Sequence, residues 1–190
     1  SQTETDFDPT ADLHPNYFGI GWTKLYVEKM CEFYARIGET KYTAIRHSNI
    51  YGPHDKFGLE HSHVFGATVT KVLSSTNGKI TVFGGAQKRP NIHIDDIAEL
   101  YVELLTIPAA KIGGETFNAA YQNNTVLELA NIVQDVVEQE MPDVAPISLE
   151  TTPSDDPRSY HVTSRKLNEQ LGWKPKRNIE DAVRDVCAAF

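Results

Sequence analysis

Between Arg46 and Val64 the chain reads Arg-His-Ser-Asn-Ile-Tyr-Gly-Pro-His-Asp-Lys-Phe-Gly-Leu-Glu-His-Ser-His-Val. The apolar, β-prone segment Tyr42-Thr43-Ala44-Ile45 leads into it. A strand that opens into a loop is where open α/β sheets bind ligands. Simple connections are seldom this long or this rich in groups that give and accept protons. The loop is therefore expected to floor a small-molecule site. Histidine changes charge near neutrality, which suits His63 to proton transfer; the same residue type also serves as a backbone partner at the start of the Val64 helix. His54 and His61 read as surface loop residues. No helical spacing or thiolate supports a zinc site, so no metal is expected. Asn49, just past the strand, carries a short amide able to bond substrate oxygens or to close an Asx turn. Ser48 is a weaker candidate of the same kind.

These groups have to be positioned by a chain of 190 residues, enough for one ordinary domain with a real core. Its net charge of −8 argues against general nucleic-acid binding, which needs a basic face. No apolar run approaches the ~20 residues of a membrane span. Cys31 and Cys187 are too few for a disulfide framework, and a reducing cytoplasm is the expected compartment.

A polar loop opens the chain, and a helix is predicted from about Tyr17 to Ile37, stopped at Gly38. Tyr42 to His47 reads as a buried strand and Val64 to Leu73 as a helix. Asn77-Gly78 is a turn before a strand at Lys79 to Phe83. A short strand at Ile92 to Ile94 follows, with Asp95 capping a helix from Asp96 to Leu105. Next come a strand at Thr116 to Asn118 and a helix capped by Thr125 and reaching about Gln139. A strand at Ile147 to Glu150 precedes a polar, irregular stretch over 151–161. A helix closed by Gly172 and a last one from Ile179 to Ala189 complete the order. The class is α/β with short mixed strands.

Tyr51-Gly52-Pro53-His54-Asp55 through Ser62-His63-Val64 resembles the extended short-chain dehydrogenase/reductase superfamily, in its NAD(P)-dependent nucleotide-sugar epimerase/dehydratase branch. Further matches are Lys24 with Glu28, Val82-Phe83-Gly84, Arg89, Ile92-His93-Ile94-Asp95-Asp96-Ile97-Ala98, Phe117-Asn118-Ala119 and Leu171-Gly172-Trp173-Lys174-Pro175. Their order holds from about Asp12 to Phe190, and within the branch the pattern is most similar to the GDP-L-fucose synthases. The family begins with a glycine-rich dinucleotide fold, and no such glycine motif stands in this sequence. The resemblance thus implies the C-terminal part of a Rossmann-like fold plus a small α/β substrate-binding lobe. Residues 1–60 and 90–120 would end the cofactor sheet and carry the catalytic helix. Residues 61–89 and 121–190 would form the sugar-nucleotide lobe.

The resemblance also implies roles. The family pairs a tyrosine with a lysine four residues on, which puts both on one helix face. Lys24 matches the lysine, as catalytic residue and as contact to the ribose of NAD or NADP; position 20 is isoleucine. Tyr17, about two turns back, is the nearest phenol. His63 would be the acid of an epimerisation, and Asn49 would face both cofactor and substrate. Arg89, Lys71 and Arg158 would meet a nucleotide diphosphate, since guanidinium forks match phosphate oxygens. Val82 would touch the base. Asp95, Asp96, Trp22 and Trp173 read as structural. The implied partners are a nucleotide-diphosphate sugar, a missing N-terminal half in this or another chain, and a second copy docked along the Lys24 helix. Nucleotide-sugar 4-epimerase, 4,6-dehydratase and a non-catalytic nucleotide-sugar-binding module stand as alternatives to an epimerase/reductase. The isolated chain is expected to be inactive.

Overall fold

Helix α1 (Phe18–Ile37) leads out of a 3-10 turn at Pro15–Tyr17, and strand β1 (Ala44–His47) follows it. The computed structural model describes residues 1–8, 10–144, 146–156 and 158–189. Then come β2 (Asn49–Tyr51), α2 (Val64–Leu73), β3 (Lys79–Phe83), β4 (Lys88–His93), α3 (Ile94–Thr106) and the short α4 (Ala109–Ile112). The second half holds β5 (Thr116–Ala119), β6 (Gln122–Thr125), α5 (Val126–Glu140), β7 (Ser148–Thr152), α6 (Arg165–Leu171) and α7 (Ile179–Ala189).

The strands form three small sheets, β1-β5, β2-β4-β6 and β3-β7. All pairs are parallel except β4 with β6. Parallel pairs need crossovers, which the helices supply. Among the described residues β1 has a strand partner on one edge only. Pro90 sits inside β4 yet costs no ladder bond to β2, because β2 pairs only from Asn91 to His93.

Two apolar clusters hold the sheets. Ile92, Ile97, Leu100, Phe117, Leu167 and Trp173 pack under β1, β4 and β5. Tyr51, Phe65, Val69, Leu129, Val133, Ile179 and Val183 join α2, α5 and α7 over β3. Asp96 ties the loop before α7 to α3. It is almost fully buried and accepts from the backbone N–H of Lys176 (2.9 Å) and of Arg177 (3.0 Å) and from Arg177 Nη1 (2.8 Å). Its role is therefore structural, as is that of buried Trp173.

Helix α1 contains no buried residue. The Arg46 guanidinium, donating to both Glu28 carboxylate oxygens at 2.8 and 2.7 Å, joins it to β1. Phe18, Ile20, Tyr26, Val27, Phe33, Tyr34 and Ile37 remain exposed along it.

Three local expectations need correction. Ile94 starts α3 rather than ending a strand, and the cap is His93, whose Nδ1 accepts from the Asp95 N–H at 3.1 Å. A buried imidazole thus does what the Asp95 carboxylate was expected to do. The irregular stretch starts later, since Thr151 and Thr152 extend β7 against Val82 and Phe83. Strands β2 and β6 escaped detection; Gln-Asn-Asn-Thr has little intrinsic strand preference and is recruited by its ladder to β4.

Candidate functional site

A cavity of about 790 Å3 is bounded by the start of α1, the ends of β1 and β2 and the loop beyond them. Tyr17, Lys24, Asn49 and His63 all line it, so four of the residues singled out in the sequence come together. Tyr17, Ile20, Gly21 and Lys24 line it at the i, i+3, i+4, i+7 spacing of one helix face, which is how a residue seven positions before Lys24 reaches the same cavity. Ile20, at the position one turn before Lys24, also lines it and is 61% exposed.

His63 occupies the cap position of α2, yet its side chain makes no capping bond and stays exposed at the cavity. His54 and His61 are exposed and line the same cavity, so they belong to its rim. His54 has φ 66°, the left-handed region that a residue with a Cβ enters at a cost. Gly52, with φ 136°, allows close approach, because a Cβ there would meet Ile94 at 2.8 Å. No group of three or more His, Cys, Asp or Glu poised for a metal occurs among the described residues.

Arg89, Arg158, Lys71 and Val82 do not line the cavity. Val82 is buried in β3. Lys71 donates to the Thr81 carbonyl at 3.2 Å and lies 5.0 Å from the Phe83 ring centre. The two arginines stand directly behind one wall. Asp156 accepts from Arg89 Nη2 at 2.9 Å and from Arg158 Nε and Nη2, both at 2.6 Å. These bonds, those from Arg158 first, hold the Asp156 carboxyl well below the usual carboxylate range. Arg158 Nη1 donates to the Tyr17 hydroxyl at 3.3 Å. Arg89 lies 5.8 Å from the centre of the Tyr160 ring, which itself lines the cavity.

Tyr160 is the residue that sequence reasoning missed. It lines the cavity beside Asn49 and Tyr17, and burial is the largest cause raising its phenol above the ordinary range. The available signal was an aromatic residue inside a polar, irregular stretch. Ser48 lines the cavity too; its Oγ is buried and has no hydrogen-bond partner among the described residues. A partnerless buried hydroxyl beside Asn49 is what a polar ligand group would satisfy. The arrangement therefore offers phenols, an amide, an imidazole and a lysine around one cavity, with a guanidinium pair behind it.

Residues 4–120, more than half of the chain, match the model of the NAD dependent epimerase/dehydratase family. It is 31% identical to GDP-L-fucose synthase 1 of Arabidopsis thaliana over 179 residues, covering 92% of this chain and 53% of that protein. It is 26% identical to UDP-glucose 4-epimerase of Lactobacillus helveticus over 196 residues, covering 94% and 56%. The chain spans about half the length of these curated relatives. Among solved structures it resembles the GDP-mannoheptose C4 reductase from Campylobacter jejuni with NADP bound. That match has a TM-score of 0.78 at 19% identity and covers 97% of this chain and 63% of that one. The UDP-glucose 4-epimerase with UDP-glucose from Thermotoga maritima gives a TM-score of 0.67 at 25% identity, covering 90% and 52%. The fold is that of the Rossmann-like extended short-chain dehydrogenase/reductases, and this chain belongs to the NAD-dependent epimerase/dehydratase family.

Proposed function

We propose that this chain is the substrate-binding part of an NAD(P)-dependent nucleotide-sugar epimerase/reductase of the GDP-L-fucose synthase kind. The single observation that carries the reading is the convergence of Lys24, Asn49, His63 and Tyr17 on one cavity of about 790 Å3. That volume suits a small-molecule ligand. The 31% identity to a GDP-L-fucose synthase supports the finer assignment. A nucleotide-sugar 4-epimerase or 4,6-dehydratase shares the same scaffold.

In this reading Lys24 and Asn49 hold the nicotinamide ribose end of NAD or NADP, and the unpartnered Ser48 hydroxyl fits beside them. The bound nicotinamide would supply hydride chemistry. Asn49 also orients the sugar. His63 moves a proton at the epimerised carbon, where its exposed imidazole reaches the cavity without being spent on a helix cap. Arg89 and Arg158 meet the diphosphate by exchanging the Asp156 carboxylate for phosphate oxygens, a substitution of one charge-assisted partner for another. Lys71 lies outside the cavity lining and would contribute at the far, nucleotide end, whereas Val82 is buried in β3 and serves the core.

The glycine-rich half of the cofactor site would come from another segment of the same or a second chain. Support comes from the half-length match to the relatives and from the edge of β1 that has no strand partner among the described residues. Without that half this chain is inactive. A homodimer along α1 would cover the exposed Phe33 and Tyr34. The setting is cytoplasmic, and no helix among the described residues is long and apolar enough to cross a membrane. One observation favours a second reading, a non-catalytic nucleotide-sugar-binding module: isoleucine stands where the family resemblance calls for tyrosine.

The test is reconstitution. Adding a complementary glycine-rich N-terminal half should restore turnover of nucleotide sugars by NAD or NADP. In the restored enzyme His63→Gln should slow solvent-deuterium exchange at the epimerised carbon more than hydride transfer. A well-folded complex that stays inactive would select the binding module, and equal slowing would make His63 structural.

A further inference from the structure

Strand β1 ends at His47, and there the chain changes sheet. β1 pairs in parallel with β5, with His47 opposite Ala119, whereas β2 begins at Asn49 and pairs with β4. Ser48 is the single residue between the two strands. Open α/β sheets take their ligands outside the carboxyl ends of their strands. His47 stands at that end of β1 and lines the cavity together with Ser48 and Asn49.

Both backbone groups of Ser48 are tied. Its N–H donates to the Ala119 carbonyl at 2.8 Å, and its carbonyl oxygen lies 3.1 Å from His47 Nδ1. A carbonyl oxygen only accepts, so His47 Nδ1 is the donor and carries the proton. In a neutral imidazole that bond fixes the tautomer and leaves Nε2 as an acceptor. The ring is thus anchored by one nitrogen while the residue stays exposed at the cavity. Its other nitrogen has no hydrogen-bond partner among the described residues.

We propose that His47 is a ligand-binding residue of this cavity, whose Nε2 accepts a hydrogen bond from an uncharged donor, a hydroxyl or carboxamide N–H, on the bound molecule. The inference rests on the nucleotide-sugar reading for its ligands. A nucleotide sugar brings hydroxyls, and NAD or NADP brings hydroxyls and a carboxamide. Lys24 at the same cavity can only donate, so it cannot satisfy the hydrogen of such a group. His47 supplies an acceptor already oriented by its own backbone. The buried, unpartnered Ser48 hydroxyl and the Asn49 amide follow it directly in the chain, so three successive residues offer polar groups to one ligand.

The experiment labels the histidine rings with nitrogen-15 and follows them by NMR as UDP-glucose or NAD is added. The ring resonances absent from His47→Gln are those of His47. In the free protein the proton should reside on Nδ1. UDP-glucose or NAD should shift the Nε2 resonance, and the probe that does so identifies the source of the donor. Two variants separate the two ring nitrogens. His47→Asn keeps a short amide donor for the Ser48 carbonyl and loses the Nε2 acceptor. His47→Gln places an amide oxygen near the Nε2 position. The probe that shifts Nε2 should bind about five-fold more weakly to His47→Asn, the order of one net hydrogen bond, and nearly as in wild type to His47→Gln. Both changes fall at an exposed position, where substitutions leave stability nearly unchanged. A proton on Nε2, a resonance that neither probe moves, or wild-type affinity in His47→Asn overturns the proposal. UDP-glucose binding is measured on the same samples by calorimetry. UDP-glucose bound while His47 responds to neither probe overturns this proposal alone. A response to NAD in protein that does not bind UDP-glucose supports the role of His47 and counts against the nucleotide-sugar reading.

Discussion

Asp156 holds Arg89 at 2.9 Å across 67 positions of sequence while gripping Arg158 through two bonds of 2.6 Å. One carboxylate thus draws two guanidinia together behind the cavity wall. It also fastens the segment that carries Tyr160 to strand β4. The Tyr160 N–H completes the attachment by donating to the Lys88 carbonyl at 3.3 Å.

That tether should fail in acid. Arg158, the leading cause, holds the Asp156 carboxyl well below its ordinary value of 3.8. A depressed carboxylate stabilises fully above its unfolded value and progressively less as pH falls below it. Protection of the Arg158 and Tyr160 amides from hydrogen exchange should be high at pH 6 and fall as pH drops below 3.8, relative to amides of α5. Asp156→Asn should show the low protection at both pH values. Equal protection factors in wild type at pH 6 and pH 3 would contradict the assignment.

Asp96 should be a stability residue. Its removal leaves the Lys176 and Arg177 amides and the Arg177 guanidinium without their acceptor. Asp96→Ala should cost about 3 kcal/mol, the order for removing one partner of a buried charge pair. Urea unfolding measures it. A loss within ~0.5 kcal/mol, the range of ordinary surface substitutions, would show that the loop before α7 is held elsewhere.

His93 should make stability depend on pH near neutrality. Burial, the leading cause, lowers its folded value below 6.5. The unfolded chain therefore takes up a proton near 6.5 that the folded chain refuses. More protons bound to the unfolded state means that stability rises with pH and is lost as pH falls below that point. Protonation would also remove the Nδ1 acceptor from the Asp95 N–H. His93→Asn keeps a capping acceptor without the titration, so its stability should vary less between pH 7 and 5 than that of wild type. Identical slopes would rule out His93 as the cause.

Much of the fold was legible because local rules and tertiary packing agree. Helix α2 (Val64–Leu73), strand β3 (Lys79–Phe83) and helix α7 (Ile179–Ala189) have the predicted ends. Thr125 makes the full capping box with Glu128, and Gly172 closes α6 with φ 70°. The misses are places where distant chain decides. Strand β6 exists through pairing with β4, and the His93 cap exists because that strand delivers a buried imidazole to the helix start. Tyr17, Lys24, Asn49 and His63, singled out by type, spacing and family resemblance, line one cavity. Tyr160 and Asp156 were not singled out, since their roles arise only when the 153–161 segment folds back onto β4. The same fold-back places Arg89 and Arg158 behind the cavity wall rather than in its lining.

The central claim is that this cavity binds a nucleotide-diphosphate sugar, and calorimetric titration with GDP-mannose and UDP-glucose tests it most directly. The account predicts saturable binding of at least one of them. Arg89→Ala should weaken it by ~1–3 kcal/mol, the range of charge-assisted bonds, and Asn49→Ala should weaken it as well. Failure of the folded protein to bind either probe, or dissociation constants unchanged by both substitutions, would contradict it.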